Sequence, residues 1–310
     1  YIPTINVSLF ADSKAWEFAM TVTEAQIRSA FTDESTLAAF ISGLFTAMDT
    51  SVAKSLEECA RGVLAAYIGE LYVGQGKADT AGDTIITWES LEYQPEFTAT
   101  SANVNYGYWG HDIGGHMQPK GVNETDPELY TRWLQSGVFT PIFKTHSTKD
   151  MTMEKRFWVF PDHFDAMREA IRLRYDLTPY IYTAARQAYD TGVSITRPLY
   201  YYWPEEEKAY QWKEEFMFGD DILIAPITKP AVDNFTEVDV WLPEGNWYEM
   251  HTGTMLQGGQ THKRYFALEE YGVYIKAGAA LPFYGDEVDN LSSNSEDIYV
   301  TVFPGGESSF

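Results

Sequence analysis

The sequence is poor in cysteine, with Cys59 alone among 310 residues. An intrachain disulfide is therefore excluded. A catalytic thiol is disfavoured as well, because no histidine stands in a recognisable partner motif for it. CxxC, HExxH and Walker-type loops are absent, so the sequence carries none of these common signatures of zinc or nucleotide sites.

Basic residues are also scarce, with 22 Lys and Arg against 45 Asp and Glu, for a formal net charge of −23. Nucleic acids and anionic membranes both require a basic surface, so neither is expected as a partner. No apolar run reaches the roughly 18 residues of a membrane helix. The first residue is Tyr rather than Met, so we expect a processed chain, a trimmed chain or a fragment.

Aromatic residues, by contrast, are abundant at 15%, including 21 Tyr and 9 Trp. Their faces suit sugar rings, although a large hydrophobic core explains them equally well. A neutral ligand is the easier partner for so acidic a chain, and the acidity itself is also explained by solubility.

Residues 1–78 are predicted to form a helical segment of unassigned role. Apolar residues recur at helical spacing in one run that opens near Thr23 and in a second that opens near Ser51. The stretch Gly74-Gln75-Gly76 ends the second run. The segment contains no motif that carries chemistry.

Residues 79–214 alternate between predicted strands, Gly-bearing loops and helices, which is typical of a parallel α/β barrel or sheet. We predict strands over 103–109 and 138–144 and one long helix over 164–190. Glu128 and Arg132 are spaced for an i,i+4 ion pair on another helix.

Short strands separated by turns dominate residues 215–285 and predict an antiparallel β-sandwich. The final segment, 286–310, is expected to begin a further β element. The predicted sandwich strands cover 222–227, 237–242, 247–250, 264–266 and 273–277.

Three polar clusters follow predicted strands of the α/β part, at 82–84, 111–112 and 145–147. In a barrel such positions gather on one face, where active sites are built. Each cluster alone has a simpler explanation, since an Asp after Gly is commonly a turn or a helix N-cap and a loop His is commonly a surface residue. Three clusters at successive strand ends favour a site.

The letters WGHDIGG at residues 109–115 are similar to the WSHDIGG motif of glycoside hydrolase family 31. Further segments resemble motifs of the same family in the same order, from AGDT at 81–84 and WESL at 88–91 through PIFKTHS at 141–147, RLRYDLTPY at 172–180, FMFGDD at 216–221 with AP at 225–226, to LPEGNWY at 242–248. The resemblance covers residues 79–310. It implies the C-terminal half of a (β/α)8 TIM-type barrel, over 79–214, followed by the β-sandwich.

The resemblance also implies the chemistry, namely retaining cleavage of α-glycosidic bonds of the α-glucosidase or α-xylosidase type in an oligosaccharide or α-glycoside. Asp83 aligns with the general acid/base. Asp112 and His146 align with residues that hydrogen-bond the sugar. Trp109 is expected to wall the pocket and His111 to orient Asp112, with simple packing as an equal alternative for both. No metal or organic cofactor is implied.

The family's nucleophile, carried by a WxDMNE-type motif on an earlier barrel strand, is not found in residues 1–82. Asp150-Met151 shares two letters with that motif but follows the last barrel strand. Residues 1–78 do not match the family. They faintly resemble the N-terminal region of a tailed-phage major coat protein, around 5–10 and 30–34.

Three interpretations therefore stay open. The chain is a glycosidase or part of one, with a partner chain supplying the rest of the barrel. It is an inactive or incomplete carbohydrate-binding relic. Or it is a chimera with a structural, coat-protein-like N-terminal segment.

Overall fold

The computed structural model describes residues 4–11, 14–21, 84–104, 107–149, 152–285 and 297–305. The chain divides into two compact units, Tyr1–Val63 and Leu64–Phe310. Each unit is described by itself below.

The first unit contains an antiparallel hairpin of β1 (Thr4–Ala11) and β2 (Lys14–Thr21), with Ile5 opposite Met20 and Leu9 opposite Trp16. The helical prediction for 1–78 missed this hairpin, although polar and apolar residues alternate with the period of a strand over Thr4–Leu9. The two predicted helical runs lie outside the described residues.

The described part of the second unit is helical at first. Its helices are α1 (Trp88–Thr100), α2 (Pro127–Gly137), α3 (Phe164–Asp176), α4 (Thr178–Thr191) and the single turn α5 (Lys208–Gln211), with 3₁₀ turns at Ser101–Val104, Phe157–Val159 and Leu199–Tyr201.

Local sequence accounts for the ends of these helices. The Thr87 hydroxyl accepts from the Ser90 N–H at 3.1 Å and caps α1, while the Asp126 carboxylate caps α2 just before Pro127. Gly192, at φ 75°, ends α4 in the left-handed conformation. The predicted helix over 164–190 is two helices, because the chain breaks at Leu177 ahead of a proline.

The strand predictions over 103–109 and 138–144 are wrong for the residues that the structure describes. The first segment opens in a 3₁₀ turn, Ser101–Val104. In the second, the Arg174 guanidinium donates to the carbonyls of Val138, Thr140 and Pro141 at 2.6, 2.6 and 3.0 Å. Those carbonyls therefore accept from a side chain instead of from a neighbouring strand.

Beyond α4, the described residues form mainly antiparallel β-structure. Its strands are β3 (Thr196–Pro198), β4 (Phe216–Phe218), β5 (Ile222–Ala225), β6 (Thr236–Leu242), β7 (Asn246–Glu249), β8 (Met255–Gln257), β9 (Gln260–Phe266), β10 (Gly272–Lys276), β11 (Ala280–Tyr284) and β12 (Ile298–Val302). One sheet has six strands in the order β3-β4-β5-β10-β7-β8, and β6-β9 and β11-β12 form two-stranded sheets.

In the six-stranded sheet, β3, β4 and β5 are buried on both faces. Leu223 and Ala225 of β5 pack with Trp241 of β6 in one core cluster. Their neighbours Ile222 and Ile224 pack with residues of the helices in another. Successive residues of a strand point to opposite faces, so β5 serves two cores at once. The packing of β6-β9 on this sheet is the predicted sandwich.

Glu215 is a buried carboxyl beneath β6. Its Oε1 accepts from the Trp241 N–H at 2.9 Å, and its Oε2 has no hydrogen-bond partner among the residues that the structure describes. Burial raises the pKa of this carboxyl well above its ordinary value. The fold therefore holds Glu215 in its protonated form at pH values where the unfolded chain ionises it.

Glu215→Gln is expected to remove a pH-dependent loss of stability. A raised folded pKa contributes stability below the unfolded pKa of about 4.3, and this contribution is lost as the pH rises through the folded pKa. In urea unfolding at pH 5 and pH 8, the free energy of unfolding of the variant should therefore fall less between the two pH values. Exposed Glu244→Gln is the control, and an equal fall in wild type and Glu215→Gln would contradict the prediction.

Candidate functional site

Three chain segments lie side by side through backbone hydrogen bonds. The Thr84 carbonyl accepts from the N–H groups of His116 and Met117, at 2.7 and 3.2 Å. On the other side, the Thr148 N–H donates to the His116 carbonyl at 2.9 Å, and Ile113 N–H donates to a carbonyl at residue 144. Two of the polar clusters predicted from the sequence are thus brought to one place.

A tight turn positions the central segment. Gly114 and Gly115 have φ values of 80° and 74°, a conformation that glycine adopts without strain. A Cβ on Gly114 would lie 2.5 Å from the Tyr130 ring. The Gly115 N–H donates back to the Asp112 carbonyl at 2.8 Å, which fixes the backbone of that acid.

Asp112 is fully buried and bonded at both oxygens. Its Oδ1 lies 2.7 Å from Lys144 Nζ, and its Oδ2 lies 2.5 Å from His116 Nδ1. Burial by itself raises the pKa of this carboxyl, but the hydrogen bonds from Lys144 and His116 outweigh it and hold the pKa below its ordinary value. Asp112 is therefore a carboxylate at neutral pH.

His146 lies at the exposed side of the same cluster. Its ring centroid is 5.4 Å from that of His116. One ligand atom from each of Asp112, His116 and His146 falls within 4.8 Å of the other two. The structure thus brings together Asp112 and His146, the two residues expected to contact a sugar.

Trp109 and His111 are both buried in an aromatic cluster beneath the site. Trp109 meets Phe97 edge to face, with centroids 4.3 Å apart, and His111 lies 6.1 Å from Trp133. Burial lowers the pKa of His111 to about 3, so its ring is neutral. Neither ring nitrogen of His111 has a hydrogen-bond partner in the described part of the chain, so its contacts fit the packing alternative better than a hydrogen bond to Asp112.

Asp83, the predicted general acid/base, lies outside the described residues. Its chain neighbour Thr84 is described and is buried, with a carbonyl that accepts from the central segment.

Three residues of this site were not predicted from the sequence. Lys144 sits inside the recognised PIFKTHS segment and His116 directly follows the two glycines, so both could have been found from their position. Lys155 offered no such signal. It is brought in by a distant loop, where its Nζ donates to the carbonyls of Ile113 and Gly115 at 2.7 and 2.8 Å, and burial lowers its pKa to about 7.

Family models match the chain in three places. The glycosyl hydrolases family 31 TIM-barrel domain matches residues 70–184, and the glycosyl hydrolase family 31 C-terminal domain matches residues 192–281. The Phi29-like phage major capsid protein model matches residues 2–107 and overlaps the first match. Both resemblances seen in the sequence are thereby confirmed, as is a partial barrel followed by a sandwich.

Individual relatives agree with the first two matches. The α-xylosidase of Saccharolobus solfataricus is 33% identical over 227 residues, which are 73% of this chain and 30% of the relative. Alpha-glucosidase 2 of Bacillus thermoamyloliquefaciens is 32% identical over 232 residues, 74% of this chain and 28% of the relative.

Among solved structures, the cycloalternan-forming enzyme of Listeria monocytogenes, in complex with a pentasaccharide substrate, aligns with a TM-score of 0.66 and 29% identity. The alignment covers 73% of this chain and 22% of the Listeria enzyme. The chain thus spans less than a third of the length of these relatives. None of the helices that the structure describes could cross a bilayer.

Proposed function

Because residues 70–281 of this chain belong to glycosyl hydrolase family 31, we propose that they form the C-terminal half of a retaining α-glycosidase site of the α-glucosidase or α-xylosidase type. Asp83 is its general acid/base, and Asp112 and His146 hold the sugar. The nucleophile comes from a region outside this sequence, on a partner chain that supplies the rest of the barrel. The substrate is an oligosaccharide or another α-glycoside.

The observation that carries the proposal is the buried, ionised Asp112 at the centre of the family's own motif. Sugar hydroxyls donate hydrogen bonds, and a desolvated carboxylate accepts them strongly. Lys144 and His116 keep Asp112 charged, while the adjacent imidazole of His146 offers a further contact from the exposed side. As positive charge develops on the sugar ring in the transition state, a fixed carboxylate stabilises it more than the ground state.

In this mechanism, Asp83 donates its proton to the glycosidic oxygen as the bond to the anomeric carbon breaks. The second carboxylate attacks that carbon and forms a glycosyl-enzyme intermediate. Asp83 then takes a proton from the water that displaces the nucleophile, so the configuration is retained. Trp109 and His111 support the pocket by packing.

The test is turnover of nitrophenyl α-glucoside and α-xyloside by the isolated chain. We expect turnover to be very low without a second carboxylate, and to rise when the missing half of a family barrel is supplied on a second chain. Asp83→Asn should abolish that restored turnover, whereas exposed Asp239→Asn on β6 should not. Restored turnover that survives Asp83→Asn would contradict the assignment of the acid.

The absence of a WxDMNE-type motif favours a second candidate, a carbohydrate-binding relic. A covalent 5-fluoroglycosyl trap followed by peptide mapping separates the two functions. A labelled carboxylate on either chain means an enzyme, and sugar binding without a label means a binding relic.

The capsid-protein match over residues 2–107 favours a third candidate, a structural chimera. It predicts assembly of the chain into large particles, which light scattering detects. A chain that stays small at every concentration tested would argue against it.

A further inference from the structure

A cavity of about 300 Å³ lies between α1, the residues that follow α5, and β6, and none of the described residues of the candidate functional site lines it. We infer that this cavity binds an organic polyamine of the spermidine class. The inference does not depend on the proposed glycosidase function. We call the site the acidic cavity, because its wall contains five carboxyl side chains, those of Glu92, Glu214, Glu215, Glu237 and Asp239.

The acidic cavity carries an excess of negative charge. Lys229 is the cation in its wall. Lys263 of β9 pairs with Glu237 from outside the wall and lies 4.0 Å from Asp239. Five carboxyl groups are thus set against two ammonium groups, in a chain whose formal net charge is −23. A surface of this kind attracts cations and disfavours anions.

Glu215 points to a ligand independently of this charge. Its side chain is 4% exposed. Its Oε1 accepts from the Trp241 N–H at 2.9 Å, whereas Oε2 is buried and has no hydrogen-bond partner among the described residues. A buried oxygen without a partner is costly. Because Glu215 lines the acidic cavity, an ammonium group bound there can supply the missing donor.

The placement of the carboxyl groups selects an extended cation. No three of them, all of which belong to the described residues, converge closely enough to hold one metal ion. They stand on three separate segments, since Glu92 belongs to α1, Glu214 and Glu215 precede β4, and Glu237 and Asp239 belong to β6. Ammonium groups spaced along an alkyl chain can each donate to a different carboxyl, and such charge-assisted hydrogen bonds are strong.

The rest of the wall suits the methylene groups of a polyamine. It includes the apolar side chains of Trp212, Pro226 and Val238, against which an alkyl chain loses contact with water. The Trp212 ring already has the Lys208 ammonium 5.6 Å from its centroid. Trp212 is therefore expected to pack against the alkyl chain rather than against a second cation.

Glu215 links binding to pH. Burial, supported by the charge of Glu214, raises the pKa of Glu215 well above its ordinary value, although the hydrogen bond from Trp241 opposes this. An ammonium group beside Glu215 favours the ionised form. Binding therefore releases a proton wherever the free Glu215 is protonated, and the affinity rises as the pH passes through its pKa.

The other charged or titratable groups that face Glu215 or the acidic cavity are Glu92, Glu214, Lys229, Glu237, Asp239 and, from β10, Tyr274. The hydrogen bond from Lys263 lowers the pKa of Glu237, and burial raises that of Tyr274. Neither group therefore titrates between pH 6 and pH 8, and the wall of the acidic cavity contains no histidine.

The experiment is titration calorimetry of the full chain with spermidine at pH 8, in about 150 mM NaCl to screen the diffuse attraction of an acidic protein. We expect one spermidine per chain. Glu215→Gln keeps an acceptor for the Trp241 N–H and should weaken binding at least about tenfold. Glu214→Gln, at an exposed position, should weaken it about threefold. Glu244→Gln makes the same charge change outside the cavity and should leave the affinity unchanged.

Proton release is the readout that a merely structural role of Glu215 would not move. Calorimetry at pH 6 in two buffers of different ionisation enthalpy should show release of about one proton by the wild type and none by Glu215→Gln. Equal affinities of Glu215→Gln and Glu244→Gln, or several weakly bound spermidines per chain, would overturn the inference. Displacement of spermidine by an equal concentration of Ca²⁺ or of methyl α-glucoside would overturn the assignment to a polyamine.

Discussion

Asp112→Asn should reduce the affinity of the site for methyl α-glucoside or methyl α-xyloside by about 100-fold. Hydrogen bonds to a charged group contribute about 1.5–3 kcal/mol each, and a loss near 3 kcal/mol corresponds to about two powers of ten in affinity. The substitution keeps the size of the side chain and removes the charge that Lys144 and His116 stabilise. Titration calorimetry on the chain, or on the barrel restored with a second chain, measures the change.

Asp239→Asn is the matched control, since it makes the same change at an exposed position of β6. Its affinity should equal that of the wild type. If the affinity of Asp112→Asn lies within about threefold of that of the control, Asp112 does not contact the sugar. Neutralising a buried carboxylate that accepts hydrogen bonds from the ligand would cost more affinity than that.

Arg132→Met is expected to lower the free energy of unfolding by about 3–5 kcal/mol. Arg132 is 1% exposed. From α2 it donates to the carbonyls of Ala267 at 2.9 Å and Glu270 at 2.6 Å, in the turn between β9 and β10. Methionine keeps most of the volume but removes both bonds, so the Glu270 carbonyl loses its Arg132 donor and the Ala267 carbonyl keeps only the Glu270 N–H at 3.1 Å. An acceptor that loses its donor away from water is costly.

Urea unfolding at neutral pH measures this effect. Arg186→Met on α4 is the control, because Arg186 is exposed and its ion pair with Asp190, at 2.7 Å, is a surface pair worth less than about 1 kcal/mol. Equal losses in the two variants would show that the contacts of Arg132 contribute nothing beyond those of an ordinary surface arginine.

The same arginine shows why sequence patterns predict helices better than their side-chain partners. Spacing on α2 predicted an ion pair between Glu128 and Arg132. In the structure, Glu128 Oε1 accepts from the Ala231 N–H at 2.7 Å and Arg132 reaches the turn near residue 268. Both partners lie more than 100 residues away in the chain, and a local periodicity carries no information about them.

Some residues of the candidate site could be predicted from sequence motifs, and others became evident only from their contacts in the structure. Asp112 and His146 could be found because they stand inside motifs whose letters and order repeat those of a family. Lys144 lies in one of these motifs and His116 directly follows another, but neither was assigned a role, since their importance comes from the distance to Asp112 and not from their own spacing. Lys155 arrives from a separate loop and had no local signal at all.

The strand predictions over 103–109 and 138–144 failed for a physical reason. Both segments have apolar residues suited to a strand, but a strand also requires neighbours to pair with. Arg174 takes up the carbonyls at 138–141 instead. The predicted sandwich strands do find antiparallel partners, since β5 and β7 pair with β10 and β6 pairs with β9.

The strand β5 has a consequence for how this part of the chain comes apart. Ile222 and Ile224 belong to the core shared with the helices, while Leu223 and Ala225 belong to the core shared with β6. Because β5 contributes side chains to both hydrophobic cores, displacing it from one core also exposes the other core to water. A shift in the register of β5 by one residue would also move the side chains of each core into the other. The helical region that carries the site and the sandwich behind it are therefore expected to melt as one cooperative block.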